Sequence, residues 1–294
     1  MNSQPSPPLF KTILFTVLTL VAFAANSVLA RLALGDSSID AVSFTTLRLF
    51  SGALVLALIL QVSQKPATPS RGSWLAGLML FAYASTFSFA YNSLDTGTGA
   101  LILFGAVQLS MILIAIFQGV PLTKLEWLGM IVAFAGFVYL VSPGVSTPPI
   151  GGLVLMSIAG VAWGCYTVAG KGSSHPLGDT AFNFLRSTPL AIGLFLLGGF
   201  TYGTETFQTS TRGVLLAILS GAVTSGIGYT LWYSALRGLT TTQAAVVQLS
   251  VPIIAALGGV LLVGESVTMR LVVSASLILG GILVVILGRK KAAQ

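Results

Sequence analysis

The sequence predicts an all-α integral membrane protein, ten transmembrane helices built from two inverted five-helix repeats. Three observations carry that expectation. Hydrophobic residues make up 55% of the 294 positions, charged residues only 7%, and the mean hydropathy is +0.95. A soluble domain carries about 25% charge, so this chain lacks the polar surface that water requires, and lipid must cover most of it. Secondly, Phe44-Thr-Thr-Leu-Arg48 and Phe182-Asn-Phe-Leu-Arg186 share one pattern, and Val107-Gln-Leu-Ser110 and Val247-Gln-Leu-Ser250 share another, in the same order. Such echoes mark a duplicated unit of roughly 140 residues, divided here into 1–146 and 147–294. Thirdly, each unit holds five apolar spans. An odd number obliges the second unit to enter the membrane upside down relative to the first.

The spans are expected at 11–34, 40–61, 73–94, 98–119, 125–142, 151–171, 179–200, 212–236, 240–263 and 268–288, each close to the roughly 20 residues that cross hydrocarbon. The first follows Lys11 and contains Ala24 and Ala25, which invites a comparison with a signal peptide. Removing it would strand an odd count and put Lys65 and Lys124 on the wrong side, so it is expected to stay. Connections of a few residues force successive spans to run antiparallel. Pro148-Pro149, with Gly144 and Ser142 before them, form the join between the halves.

Lys and Arg set the orientation. With the N-terminus in the cytoplasm, the cytoplasmic ends hold Lys11, Lys65, Arg71, Lys124, Lys171, Arg237, Arg289, Lys290 and Lys291, and the opposite ends hold only Arg31, Arg212 and Arg270. That bias predicts an inner-membrane protein with both termini cytoplasmic. Inverted repeats put a pseudo-two-fold axis in the membrane plane and a binding site between the halves, the geometry of an alternating-access transporter. The net charge of +7 comes with no basic stripe interleaved with aromatics, so nucleic acid is not an expected partner. The lone Cys165 and lone His175 leave no pattern for a metal site or cofactor. No nucleophile, redox or phosphate-loop motif suggests an enzyme.

Several polar and aromatic residues fall within spans. Trp163 sits near the centre of the sixth span beside Tyr166, too deep for an interfacial belt. It either lines a cavity with a broad stacking face and one N–H donor or fills the bundle core. Tyr229 lies deeper than Trp232 and Tyr233 in the eighth span and faces the same two alternatives. Tyr83, Ser85, Ser88, Tyr91 and Asn92 make the third span polar. Ser85, Ser88 and Asn92 share a face that must meet another helix or water. Gln108, Gln248 and Asn26 bring neutral amides to mid-span, suited either to a zwitterion or to helix–helix hydrogen bonds. Pro252 and Pro189 free backbone carbonyls, as hinges or as tolerated kinks. Arg48 and Arg186 lie about 12 Å into their spans at 1.5 Å per residue. Inversion puts them at opposite depths, so a structural role with snorkelling or carbonyl pairing is expected rather than a shared ligand. All seven acidic residues fall in loops or at span ends, which disfavours proton antiport through a buried carboxylate and disfavours strongly cationic cargo.

The two F-x-x-L-R elements, Trp163-Gly164, and the run from Val247-Gln-Leu-Ser-Val-Pro252 to Gly264-Glu265 resemble EamA-type members of the drug/metabolite transporter superfamily across nearly the whole chain. Within it, the chain resembles YddG-like exporters of aromatic and other amino acids. The first copy departs from the pattern, with Met111-Ile112 where the second has Val251-Pro252, and Val120 near where Glu265 would fall. The resemblance implies a cavity between spans one, three, four, six, eight and nine, with the fifth and tenth peripheral. It also implies export of neutral amino acids, selected loosely by aromatic faces and amides rather than by fixed charges. Cargo and membrane lipids are then the partners, and a monomer is compatible with that role. A carrier of another small metabolite or drug is the nearest alternative, and a non-transporting membrane scaffold the more distant one.

Overall fold

A computed structural model describes residues 8–63, 72–117, 119, 122–142, 147–170, 173, 175–203, 207–236, 238–239 and 247–292. The helices are α1 (Leu9–Leu34), α2 (Ala41–Val62), α3 (Trp74–Ala90), α4 (Thr96–Phe117), α5 (Lys124–Val141), α6 (Ile150–Gly170) and α7 (Pro176–Tyr202). After them α8 runs through Thr211–Leu219, a π-helical stretch Ser220–Ile227 and Gly228–Leu236. Next, α9 comprises Val251–Gly258 and a π-helical end Gly259–Val263, and α10 is Met269–Ala292. Among the described residues, the isolated antiparallel bridge between Ile39 and Thr209 is the only β pairing. Lys65, Arg71, Lys171 and Arg237, Gly144 of the expected join and the expected start of the ninth span at 240–246 lie outside the described residues.

Long apolar runs make these helices, and polar caps bound them. Asp40 accepts from the Ser43 amide at 2.8 Å, Ser73 from Ala76 at 3.0 Å and Ser210 from Gly213 at 3.0 Å. Each satisfies an amide that the first turn leaves orphaned. Thr123 and Glu126 form a reciprocal capping box at the start of α5. Among the described residues, seven helical segments are long and apolar enough to cross a membrane, Leu9–Leu34, Ala41–Val62, Thr96–Ile114, Ile150–Gly170, Leu177–Thr201, Thr211–Trp232 and Met269–Gly288; Trp74–Ala90 and Val251–Val263 are apolar but shorter. The chain is therefore a multi-pass membrane protein.

Two expected features sit differently. The third span was expected to reach residue 94, but α3 ends at Ala90. Its last turns tighten as Asn92 N–H donates to Phe89 O and Ser93 N–H to Ala90 O, so Asn92 is exposed in a turn. Pro252 occupies the first turn of α9, directly after the turn at 249–250 that follows helical residues 247–248, rather than the middle of a continuous helix. Its missing N–H needs no intrahelical acceptor there. Pro189 does lie inside α7, which continues to Tyr202.

The principal contacts between the halves follow a pattern. Helix α5 packs along α10, α2 along α7 and α4 against α9. The contact of α3 with α6 is matched by α8 with α1, that of α4 with α6 by α9 with α1, and that of α3 with α7 by α8 with α2. Exchanging every helix with the one five places away maps this set onto itself. Glycines allow the closest approaches. On α10, a Cβ at Gly281 would lie 2.5 Å from the Ala133 amide nitrogen and 2.6 Å from the Gly129 carbonyl oxygen, whereas one at Gly280 would meet nothing within 4 Å. Gly281→Ala should therefore force α5 and α10 apart and cost about 1–3 kcal/mol, the usual range for overpacking. Gly280→Ala should be neutral. Thermal unfolding of the two variants in detergent checks this, and equal midpoints would contradict it.

Candidate substrate site

A small cavity lies among α1, α3, α4, α6 and α8, bounded by Phe23, Asn26, Ser27, Tyr83, Leu103, Phe104, Trp163, Thr224, Ser225 and Tyr229. Its free space is about 20 Å³, enough for about one water. The walls divide by chemistry. On one side, Trp163 is the hub of an aromatic cluster. Its ring centroid is 4.8 Å from Tyr83, 5.0 Å from Tyr229 and 5.3 Å from Tyr166, the last at an interplanar angle of 28°. Phe23 meets Tyr229 edge-on at 5.9 Å. Offset and tilted ring pairs of this kind are favourable beyond their buried area.

The other side is polar and built around Asn26, which is buried in α1. Ser220 Oγ donates to Asn26 Oδ1 at 2.6 Å, and Thr224 Oγ1 lies 3.2 Å from the same oxygen. Asn26 Nδ2 donates to the Tyr83 hydroxyl at 3.4 Å. Ser220 and Thr224 both belong to the π-helical stretch of α8, where the widened turn brings two hydroxyls toward one amide. Such bulges recur at functional sites. Behind Tyr83 stands Arg48 of α2, whose Nη2 donates to the same hydroxyl at 3.0 Å. The guanidinium also lies 4.7 Å from the Phe87 ring centroid and 5.1 Å from that of Tyr83.

The expected site residues thus separate. Asn26, Tyr83, Trp163 and Tyr229 line one cavity, and Tyr166 stacks directly on Trp163. Ser88 is fully buried and returns its hydroxyl to Ala84 O at 2.8 Å, the common solution for serine in an apolar helix. Asn92 lies in the exposed turn after α3. Gln108 is buried in α4 but does not line the cavity. Phe104, four residues earlier on the same face of α4, does line it, so Gln108 stands one turn beyond the cavity. Gln248, half-buried just before α9, does not line it either. Arg186 is partly exposed on α7, donates to Phe182 O at 3.4 Å and lies 5.7 Å from the Trp74 ring centroid.

Phe23, Ser27, Phe104, Thr224 and Ser225 are cavity residues that sequence reasoning passed over, and Ser220 supports the wall through Asn26. The cluster Ser220-Gly-Ala-Val-Thr224-Ser225-Gly226, polar and flexible at the middle of an apolar span, is the signal that could have found the α8 wall.

At the end of the bundle that carries Leu34, Ala41 and Ala90, a second polar cluster joins three elements. Glu265, in the turn after α9, accepts from Thr96 N–H at 2.9 Å, Thr96 Oγ1 at 3.1 Å and Arg31 Nε at 3.2 Å. Arg31 Nη2 lies 3.6 Å from Asp95, and its Nη1 donates to Tyr91 O at 3.4 Å. The carboxylate also sits at the N-terminus of α4, where the helix dipole favours it. At the opposite end, Gly72 N–H donates to Asp179 at 2.9 Å and Ser73 N–H to Asn183 at 3.0 Å, tying the start of α3 to α7.

Comparison with known proteins places this arrangement. The profile of the EamA-like transporter family matches twice, over residues 10–142 and 150–287. An uncharacterized protein of Pseudomonas aeruginosa is 50% identical over 95% of this chain and 96% of its own length. An uncharacterized transporter of Archaeoglobus fulgidus is 28% identical over 84% of this chain and 87% of its own length. A solved protein structure shares the fold, with a TM-score of 0.63 at 20% identity over 93% of this chain and 97% of that one. A membrane-embedded helical bundle with a mixed aromatic and polar cavity, matched twice by one transporter profile, is a drug/metabolite superfamily transporter: the chain belongs to the EamA-like transporter family.

Proposed function

We propose that the protein exports amino acids, aromatic and other neutral ones, from the cytoplasm across the inner membrane by alternating access. In this reading residues 1–146 and 147–294 are inverted five-helix repeats, ten spans in all, with both termini cytoplasmic. The self-mapping contact pattern between the halves supports the repeat, as does the double match to one family profile.

The observation that carries the cargo class is the cavity itself. Trp163, Tyr83 and Tyr229 offer ring faces to an apolar or aromatic side chain, and Asn26, Thr224 and Ser225 offer neutral polar groups to a zwitterionic head. At about 20 Å³ the space is far below what an amino acid occupies. Transport therefore requires the walls to separate, with the π-helical stretch of α8 a place where that wall can adjust.

Counterflow in proteoliposomes tests the proposal. Vesicles preloaded with unlabelled phenylalanine should accumulate labelled phenylalanine transiently, and leucine or methionine inside should substitute for it. Failure of every neutral amino acid to drive counterflow, by protein that is monodisperse and reconstituted, would overturn the cargo assignment.

A further inference from the structure

Among the described residues, the buried Arg48 guanidinium has no counter-ion. It is 2% exposed, makes no ion pair among the described residues, and its Nη1 has no hydrogen-bond partner. A charge inside a membrane bundle is costly unless something offsets it. The Tyr83 and Phe87 rings, neighbours on one face of α3, offset part of that cost, but a ring face is only a weak acceptor for the free N–H groups. The pseudo-equivalent Arg186 is different: it is partly exposed, with Phe182 O as an acceptor.

The Tyr83 hydroxyl sharpens the contrast. It accepts from Arg48 Nη2 and from Asn26 Nδ2, so its own proton remains to be donated at the cavity wall. Two donors pulling on that oxygen make it a stronger donor in turn. The cavity therefore has one edge where a cation stands a single hydrogen bond behind a polarised hydroxyl, next to an amide. The opposite wall is aromatic.

We propose that Arg48 and Tyr83 form the receptor for a carboxylate on the cargo. The acid binds against Tyr83 OH and the unpartnered side of Arg48, and the cargo's apolar part lies over Trp163 and Tyr229. This deepens the amino-acid reading of the same cavity, and it replaces the expectation that selection rests on neutral groups alone. Arginine suits the role because its fork can present two N–H groups to one carboxylate. The carboxylate could come from a zwitterionic amino acid or from a simple aromatic acid, and the test separates these sources.

Purified protein in nanodiscs is titrated with four ligands, reading intrinsic tryptophan fluorescence: phenylalanine, phenylalanine amide, 3-phenylpropionate and 3-phenylpropionamide. Each acid should bind at least about tenfold tighter than its amide. Arg48→Gln should abolish that preference, Arg48→Lys should keep part of it, and Arg186→Gln should leave it intact. If Arg48→Gln does not purify as a monodisperse protein, Tyr83→Phe replaces it and should reduce the preference severalfold. Wild-type protein that binds amides as well as acids, or a preference that survives Arg48→Gln or Tyr83→Phe, overturns the carboxylate receptor. Binding of 3-phenylpropionate over its amide, with no binding of phenylalanine, supports the receptor while overturning amino acids as the cargo.

Discussion

Trp163→Ala is expected to lower phenylalanine counterflow about 10- to 100-fold at subsaturating cargo, with normal insertion and yield. Three tyrosine rings lie within 5.3 Å of the Trp163 ring centroid, so its face is held in place before cargo arrives. Losing one such stacking partner costs about 0.5–1.5 kcal/mol beyond the buried area. The indole's own contact area with the cargo adds more at roughly 25 cal/mol per Å². Together these come to about 2 kcal/mol, and each 1.36 kcal/mol is a factor of ten. Trp127→Ala supplies the control, because Trp127 is 53% exposed on α5 and borders no part of the cavity. Proteoliposome counterflow, normalised to reconstituted protein, separates the two. Equal activity of both variants would remove Trp163 from the site, and equal loss would assign the effect to bundle stability. Trp163→Phe, which keeps a ring, should restore most of the rate.

Most of the helical order was legible in the sequence because lipid leaves so few options for the backbone. Apolar runs bounded by polar caps located α1, α2, α4 and α6 to within a few residues. The third and ninth spans were less legible. Turn geometry at Tyr91–Ser93 ends α3 early, and a helical periodicity cannot forecast that. Among the site residues, Trp163, Tyr83, Asn26 and Tyr229 are isolated polar or aromatic groups at mid-span, and they converge on one cavity. Gln108 and Gln248 share that character, but neither lines it: Gln108 stands one turn beyond Phe104 on the same face of α4, and Gln248 precedes α9, which contributes nothing to the wall. Span positions alone do not fix depth to within a turn. Arg48 and Arg186 stand in matching F-x-x-L-R elements of the sequence, yet the two side chains meet different neighbours, Tyr83 and Phe87 in one case and Trp74 with Phe182 in the other.

Glu265→Gln is expected to open the cavity toward the end of the bundle that carries Leu34 and Ala41. Glu265 binds α1 through Arg31 and α4 through Thr96, so a single carboxylate holds three moving parts together. The side chains of Arg31 and Glu265 are 21% and 12% exposed, which spares the pair much of the solvent screening that makes surface ion pairs weak. Its loss should shift the closed-to-open balance by about 1–3 kcal/mol, or 5- to 150-fold. Ser225→Cys in a Cys165→Ala background places one thiol on the cavity wall. Its labelling by an impermeant maleimide, measured in right-side-out and inverted vesicles, should rise at least fivefold from one face only. Arg31→Gln should have a similar effect, and the double variant should add little, because both substitutions break one connection. Additive effects, or labelling unchanged from both faces, would remove the latch from the transport cycle. The sequence adds a reason to expect one-sidedness. The first copy has Val120 near where Glu265 would fall. At the opposite end Asp179 and Asn183 of α7 accept from the Gly72 and Ser73 backbone amides, a different connection between different helices. The two ends are thus held by unlike contacts, and a substitution at Glu265, or a cargo that competes for Arg31, should bias the cycle in a single direction.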